Sequence, residues 1–110
     1  EDSPESLRRI VTQVSDPRLR LCLDVGHANS RVSETPPLDW ISPMAPYLRH
    51  VHLHNNDGDM DLHQSLGEGS VPMEAVLDTV LTDCPQATFT IENLLCSPSV
   101  SWLEQRGYLV

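Results

Sequence analysis

The feature that most constrains this chain is a row of histidines written on a strand period. His50, His52 and His54 alternate with Val51 and Leu53, and with His63 they make up four of the chain's five histidines. An extended strand turns successive side chains to opposite faces, so three imidazoles share one face and two aliphatic side chains the other. The run then breaks at Asn55-Asn56-Asp57-Gly58, residues that favour turns, before Asp61-Leu62-His63 returns a carboxylate and an imidazole to the strand end. Taken singly, a histidine is a surface residue or a satisfied core group, and an Asn/Asp/Gly run is a solvated turn. Same-face histidines followed by Asp-x-His are harder to explain by packing, and they point to a bound cation. His50, furthest from the C-terminal end of the strand, is assigned a structural role.

Composition narrows the classes. A length of 110 residues with 39% hydrophobic content suits one modest globular domain. No apolar run is long enough to cross a bilayer, and Glu1-Asp2-Ser3-Pro4 lacks the basic and apolar regions of a signal peptide, so a cytoplasmic protein with no membrane partner is expected. The lack of an initiator Met suggests a fragment of a longer chain. Cys22, Cys84 and Cys96 are odd in number and scattered, which fits reduced thiols better than a disulfide framework, and no Cys-x-x-Cys pattern is present. A formal charge of −9 without a single lysine argues against a nucleic-acid partner, because phosphate-backbone binding relies on clustered Lys and Arg. It also removes any Schiff-base lysine.

Periodicity predicts the order helix, strand, helix, strand, helix, strand, helix. Ser3-Pro4-Glu5 opens a helix to about Val14, with Leu7, Ile10, Val11 and Val14 at helical spacing. Leu19 to Asp24 reads as a strand, with Arg20, Cys22 and Asp24 on its polar side. Leu38 to Leu48 suggests a helix kinked by Pro43 and Pro46. After the histidine strand comes a long loop over residues 55–71, of a length commonly functional in compact domains. Pro72 opens another helix, Ala87 to Glu92 forms the third strand, and Ser97-Pro98 caps the last helix, which Gly107 stops.

Alternating strands and helices imply a parallel sheet with helices outside. Parallel strands are normally apolar on both faces, yet here one face of every strand is polar. Each strand also ends in a metal-ligand residue type: Asp24, His52 and Glu92. Inward residues at C-terminal strand ends build the active site of a βα barrel, so three ligands from three consecutive strands converge on one point.

Leu23-Asp24-x-Gly26-His27, Val51-His52-Leu53, Asp61-x-His63-x-x-Leu66-Gly67-Glu68-Gly69 and Ile91-Glu92-Asn93 together resemble the C-terminal portion of the xylose isomerase-like TIM barrels. That superfamily holds sugar and sugar-phosphate isomerases and epimerases and the endonuclease IV type of AP endonuclease. The resemblance runs in order across nearly the whole chain. It implies an α/β fold: a single partial TIM-barrel domain over residues 1–110, with about three βα units matching the sixth to eighth strands of the (β/α)8 barrel.

The resemblance also implies roles. Asp24, His52 and Glu92 match ligands of a divalent metal (Mn, Zn, Co or Mg), and Glu92 doubles as the proton carrier. His27 matches a substrate contact and catalytic group in the epimerases. In the endonucleases it matches a ligand of a further zinc, whose other ligands match Asp61 and His63. His54 stands where relatives carry another polar residue, so it supports the ligands from behind or touches substrate. The family's fifth strand normally brings another glutamate, absent here, so a second copy or a missing N-terminal half is expected to complete the site. The function implied is a metal-dependent isomerase or epimerase acting on a sugar or sugar phosphate. The rivals are an AP endonuclease-like phosphodiesterase and a remnant that keeps the ligands without catalysis.

Overall fold

A computed structural model describes residues 3–109 as five helices and three strands. Helix α1 is Pro4–Val14, with Ser3 accepting the Ser6 N–H at its start and Ser15 in the left-handed region (φ 53°) at its end. Strand β1 is Leu21–Asp24, followed at once by a short helix α2, Val25–Asn29. Helix α3 is Pro37–Met44, β2 is Leu48–Leu53, α4 is Met73–Asp83, β3 is Thr88–Ile91 and α5 is Ser97–Gln105. The strands form one parallel sheet in the order β1-β2-β3, in a register that sets Asp24 beside His52 and His52 beside Thr90. Among the described residues, no helix is long and apolar enough to cross a membrane.

The alternation seen in the sequence sorts the sheet into two faces. Leu23, Val51 and Leu53 point outward into a core completed by Ile41 and Met44 of α3, by Val76, Leu77 and Val80 of α4, and by Leu66 and Leu103. Cys22, Thr88 and Thr90 point the other way and are exposed. His50 lies among them, bonded through Nδ1 to Thr88 Oγ1 at 2.7 Å and through Nε2 to Thr90 Oγ1 at 2.9 Å. Both its nitrogens are occupied by neighbouring hydroxyls, which is a structural role.

Four boundaries differ from the sequence expectation, each for a local reason. β1 starts at Leu21, not Leu19, because a turn at Asp16 holds the Leu19 N–H (3.0 Å) and pairs with Arg18, so the ladder begins only where the Leu21 N–H reaches the Tyr47 carbonyl. Helix α2 was not anticipated, since five residues are too few to show a period. Helix α3 ends at Met44, and Leu48, expected on its apolar side, is the first and fully buried residue of β2. The residue capping α5 is Cys96 rather than Ser97, and it makes no side-chain cap.

Candidate metal centre

The C-terminal ends of the three strands carry the polar cluster. Asp24, the last residue of β1, is also the N-cap of α2: its Oδ1 accepts the His27 amide at 2.8 Å. A short polar side chain is favoured there because it satisfies an amide that the first helical turn leaves free. The same carboxylate receives His54 Nε2 at 2.7 Å on Oδ1, and its Oδ2 lies 3.2 Å from His27 Nδ1 and 3.5 Å from His52 Nδ1. Burial pushes the Asp24 carboxyl up, but the bonds from His54 and the His27 amide outweigh it and hold the group below its ordinary value.

His52 links the first and third strands. Its Nδ1 stands 3.2 Å from Glu92 Oε1, so Asp24, His52 and Glu92 meet on the inner side of the sheet. Glu92 lies one residue beyond β3, where its N–H continues the ladder to the Leu53 carbonyl at 3.0 Å. One oxygen of Asp24, one of Glu92 and one nitrogen of His54 also lie mutually within 4.8 Å. A pair of carboxylates converging with imidazole nitrogens is a donor set suited to a divalent cation.

The loop over residues 55–71 folds back on this centre rather than away from it. It brings Asp61 Oδ2 to 2.9 Å from His27 Nε2 and sets His63 Nε2 3.2 Å from Asp61 Oδ1. Burial raises the Asp61 carboxyl, while the His27 hydrogen bond and the charges of His27, His63 and His54 bring it below its usual range. His63 Nδ1 donates to the Glu92 backbone carbonyl at 2.9 Å, and that bond, ahead of the nearby Asp61 charge, raises its pKa. His54, immediately after β2, is fully buried and its ring stacks on His63, centroids 3.9 Å apart. Its Nδ1 is a buried polar atom without a hydrogen-bond partner, 3.7 Å from Asp61 Oδ1. An unsatisfied buried acceptor beside a carboxylate is costly unless a cation completes it, so the residues present fit a metal.

Several residues that hold this arrangement went unnoticed in the sequence. Asn55 and Asn56, expected in a solvated turn, are buried. Asn55 pairs with Gln64 through both backbone groups, and its side chain donates to the Leu66 carbonyl (3.1 Å) and accepts from the Val71 amide (2.9 Å). Asn56 donates to the Gly26 carbonyl at 2.7 Å and accepts from Asn29 at 2.8 Å, tying the loop to α2. Asn93 donates to the His63 and Gln64 carbonyls and accepts from Ser99. Gly26 leaves the space the His54 ring occupies, and Gly69 (φ 102°) passes so close to Asn55 and Asn56 that a Cβ would overlap them. Paired Asn and nearby Gly in one loop were the available signal; composition made them read as a turn.

Comparison with known proteins agrees with this architecture. The family model described as "Xylose isomerase-like TIM barrel" matches residues 1–93. An uncharacterized protein of Methanocaldococcus jannaschii is 31% identical over 91 residues, a match covering 83% of this chain and 31% of that protein. The crystal structure of a D-tagatose 3-epimerase-like protein superposes with a TM-score of 0.77 at 28% sequence identity, covering 96% of this chain and 40% of that one. The chain therefore spans well under half the length of either relative.

Proposed function

This chain belongs to the xylose isomerase-like TIM barrels, and on that premise we propose that it forms the C-terminal part of a divalent-metal-dependent isomerase or epimerase of sugars or sugar phosphates. The observation that carries this proposal is the meeting of Asp24, His52 and Glu92 at the ends of three adjacent parallel strands, with Nδ1 of His52 at 3.5 Å and 3.2 Å from the two carboxylates. These three would hold the ion, with His54 behind Asp24. A bound divalent ion supplies Lewis-acid polarisation of a sugar carbonyl and its neighbouring hydroxyl. Glu92, one-third exposed toward the inner side, is the group that takes a proton from the carbon next to that carbonyl and returns it. His27 has an exposed ring beside Asp24 and Asp61, from which it can orient a substrate hydroxyl.

The barrel is completed by strands from further polypeptide or from a second copy. Support comes from the sheet itself: among the described residues β1 and β3 each pair only with β2, leaving two open edges. A cleft of about 560 Å³ runs along the open side of β1 between Leu7, Asp24, His27 and Trp40. A preceding strand would lie there, bringing the second carboxylate that moves the proton.

The test is proton exchange in the completed barrel. Incubated with Mn²⁺ or Co²⁺ and a panel of ketoses and ketose phosphates in deuterium oxide, the protein should place deuterium on the carbon beside the carbonyl, read by NMR. Exchange that persists undiminished in a chelator, or its absence across the panel, would refute the proposal. The His27–Asp61–His63 cluster favours a second reading, a metal-dependent phosphodiesterase, although the charge of −9 opposes DNA binding. Nicking of abasic duplex DNA without sugar exchange would select it. A remnant without catalysis would do neither.

A further inference from the structure

We infer that His54 closes a second, zinc-type cation site with His27, Asp61 and His63, and ties that site to the first through Asp24. The chain of reasoning starts from where protons must sit. A carboxylate only accepts hydrogen bonds at neutral pH, so the 2.7 Å contact between His54 Nε2 and Asp24 Oδ1 requires the proton on Nε2. In the neutral ring Nδ1 is then a bare lone pair. That atom is wholly buried, has no hydrogen-bond partner and faces Asp61 Oδ1 at 3.7 Å. His63 repeats the pattern: its Nδ1 donates to the Glu92 carbonyl, so Nε2 presents a lone pair to Asp61 at 3.2 Å. Two imidazole lone pairs and a carboxylate thus point at one another.

Acceptors aimed at acceptors repel unless something positive lies among them. A proton on His63 would relieve one contact and leave His54 Nδ1 unpartnered. One ligand atom from each of His27, His54, Asp61 and His63 lies within 4.8 Å of the others, which a single cation can satisfy together. Three imidazole nitrogens and one carboxylate oxygen form a four-donor set of the kind zinc takes in closed sites, whereas Asp24 and Glu92 with His52 are richer in oxygen and suit a harder ion. The scaffold is committed to this geometry. Position 26 carries no Cβ, which would overlap the His54 ring, and His63 is held in the left-handed region (φ 49°) with its carbonyl anchored by Asn93. Asp24 behind His54 is a carboxylate–histidine pair that fixes tautomer and ring orientation, as ligating histidines commonly require. Because Asp24 Oδ2 also faces His52, the ion in one site alters the ligands of the other.

The inference rests on the metal-binding reading above, and ion counting on the 110-residue chain separates the two. After chelation, the chain is titrated with Zn²⁺ and, as a spectroscopic probe, Co²⁺. Two ions per chain are expected, one giving cobalt the intense visible absorption of a four-coordinate site. Asp61→Asn at the rim and His54→Gln should each abolish that absorption and weaken the zinc-type ion at least about tenfold, while Glu92→Gln should weaken only the other. Should His54→Gln fail to fold, the ¹⁵N resonance of His54 Nδ1 in the unmodified chain decides: on adding zinc it should leave the position of a free lone pair. A resonance that stays put, or a folded His54→Gln chain that keeps the cobalt absorption, would overturn the inference. One ion lost only in Glu92→Gln would overturn it and leave the first metal site standing. No ion bound at all would count against both.

Discussion

Successive residues of β2 belong to two different environments. Val51 and Leu53 are 0% and 2% exposed against α3 and α4, while His50 and His52 between them face the open side of the sheet. The outer face is held by burial, each buried Val or Leu contributing about 1.5–3 kcal/mol, and its requirement is apolar volume. The inner face buries little and is held by bonds between side chains: His50 to Thr88 and Thr90, His52 to Glu92, His54 to Asp24. Stability and chemistry are therefore carried by alternate residues of the same strands, and each should be breakable without the other.

The largest effect is expected from Val51→Asp. An unpaired carboxylate at a fully buried position costs several kcal/mol, roughly the scale of a small domain's whole stability. Loss of the cooperative thermal transition would be the result, followed by circular dichroism. Thr90→Val, one strand over on the inner face, removes only a bond to His50 and should cost about 1 kcal/mol. Similar losses from the two would break the comparison.

Glu92→Gln should invert the pattern. Its removal takes away a charged ligand and a proton carrier together, so sugar proton exchange in the completed barrel should fall by about 10²–10⁴-fold, with denaturant unfolding nearly unchanged. Gly26→Ala should lie between, since its Cβ meets the His54 ring and not the apolar core. Calorimetric titration should show divalent affinity lowered about 10–100-fold, the size typical when a ligand's supporting partner is disturbed.

The smallest effect sits in the outer helical layer. Burial, then the hydrogen bond to Asp78 on α4, pushes the Tyr108 phenol up to about 12 from an ordinary 10.0. A raised pKa means the neutral form is favoured in the folded state. Its contribution is therefore fully present below pH 10 and is lost as pH rises from there toward about 12. Melting temperatures across that window should fall less steeply for Tyr108→Phe than for the parent chain, with no change in cation binding. A change in cation affinity would mean the two layers are coupled.

What the sequence determined by itself was direction. Period-two alternation at His50–Leu53 and Thr88–Ile91 set which side chains share a face, prolines at positions 4, 37, 72 and 98 marked helix starts, and the residue types at the strand ends named Asp24, His52 and Glu92. Periodicity is a local property of the backbone, so short-range spacing suffices to read it. Only the tertiary structure decided distance and proton placement. Leu48 fits an apolar helix face or a strand equally well, and the turn at Met44–Tyr47 chose between them. Asn55 and Asn56 carry turn chemistry in the sequence, yet loop closure buries them against Gly26 and Val71 and makes them the supports of the site. His54 is the sharpest case. Its alternation put it on the inner face, but which nitrogen carries the proton depends on Asp24, thirty positions away. A lone pair aimed at Asp61 exists only because the loop has brought that carboxylate back, and no local spacing encodes a contact between residues that meet only after folding.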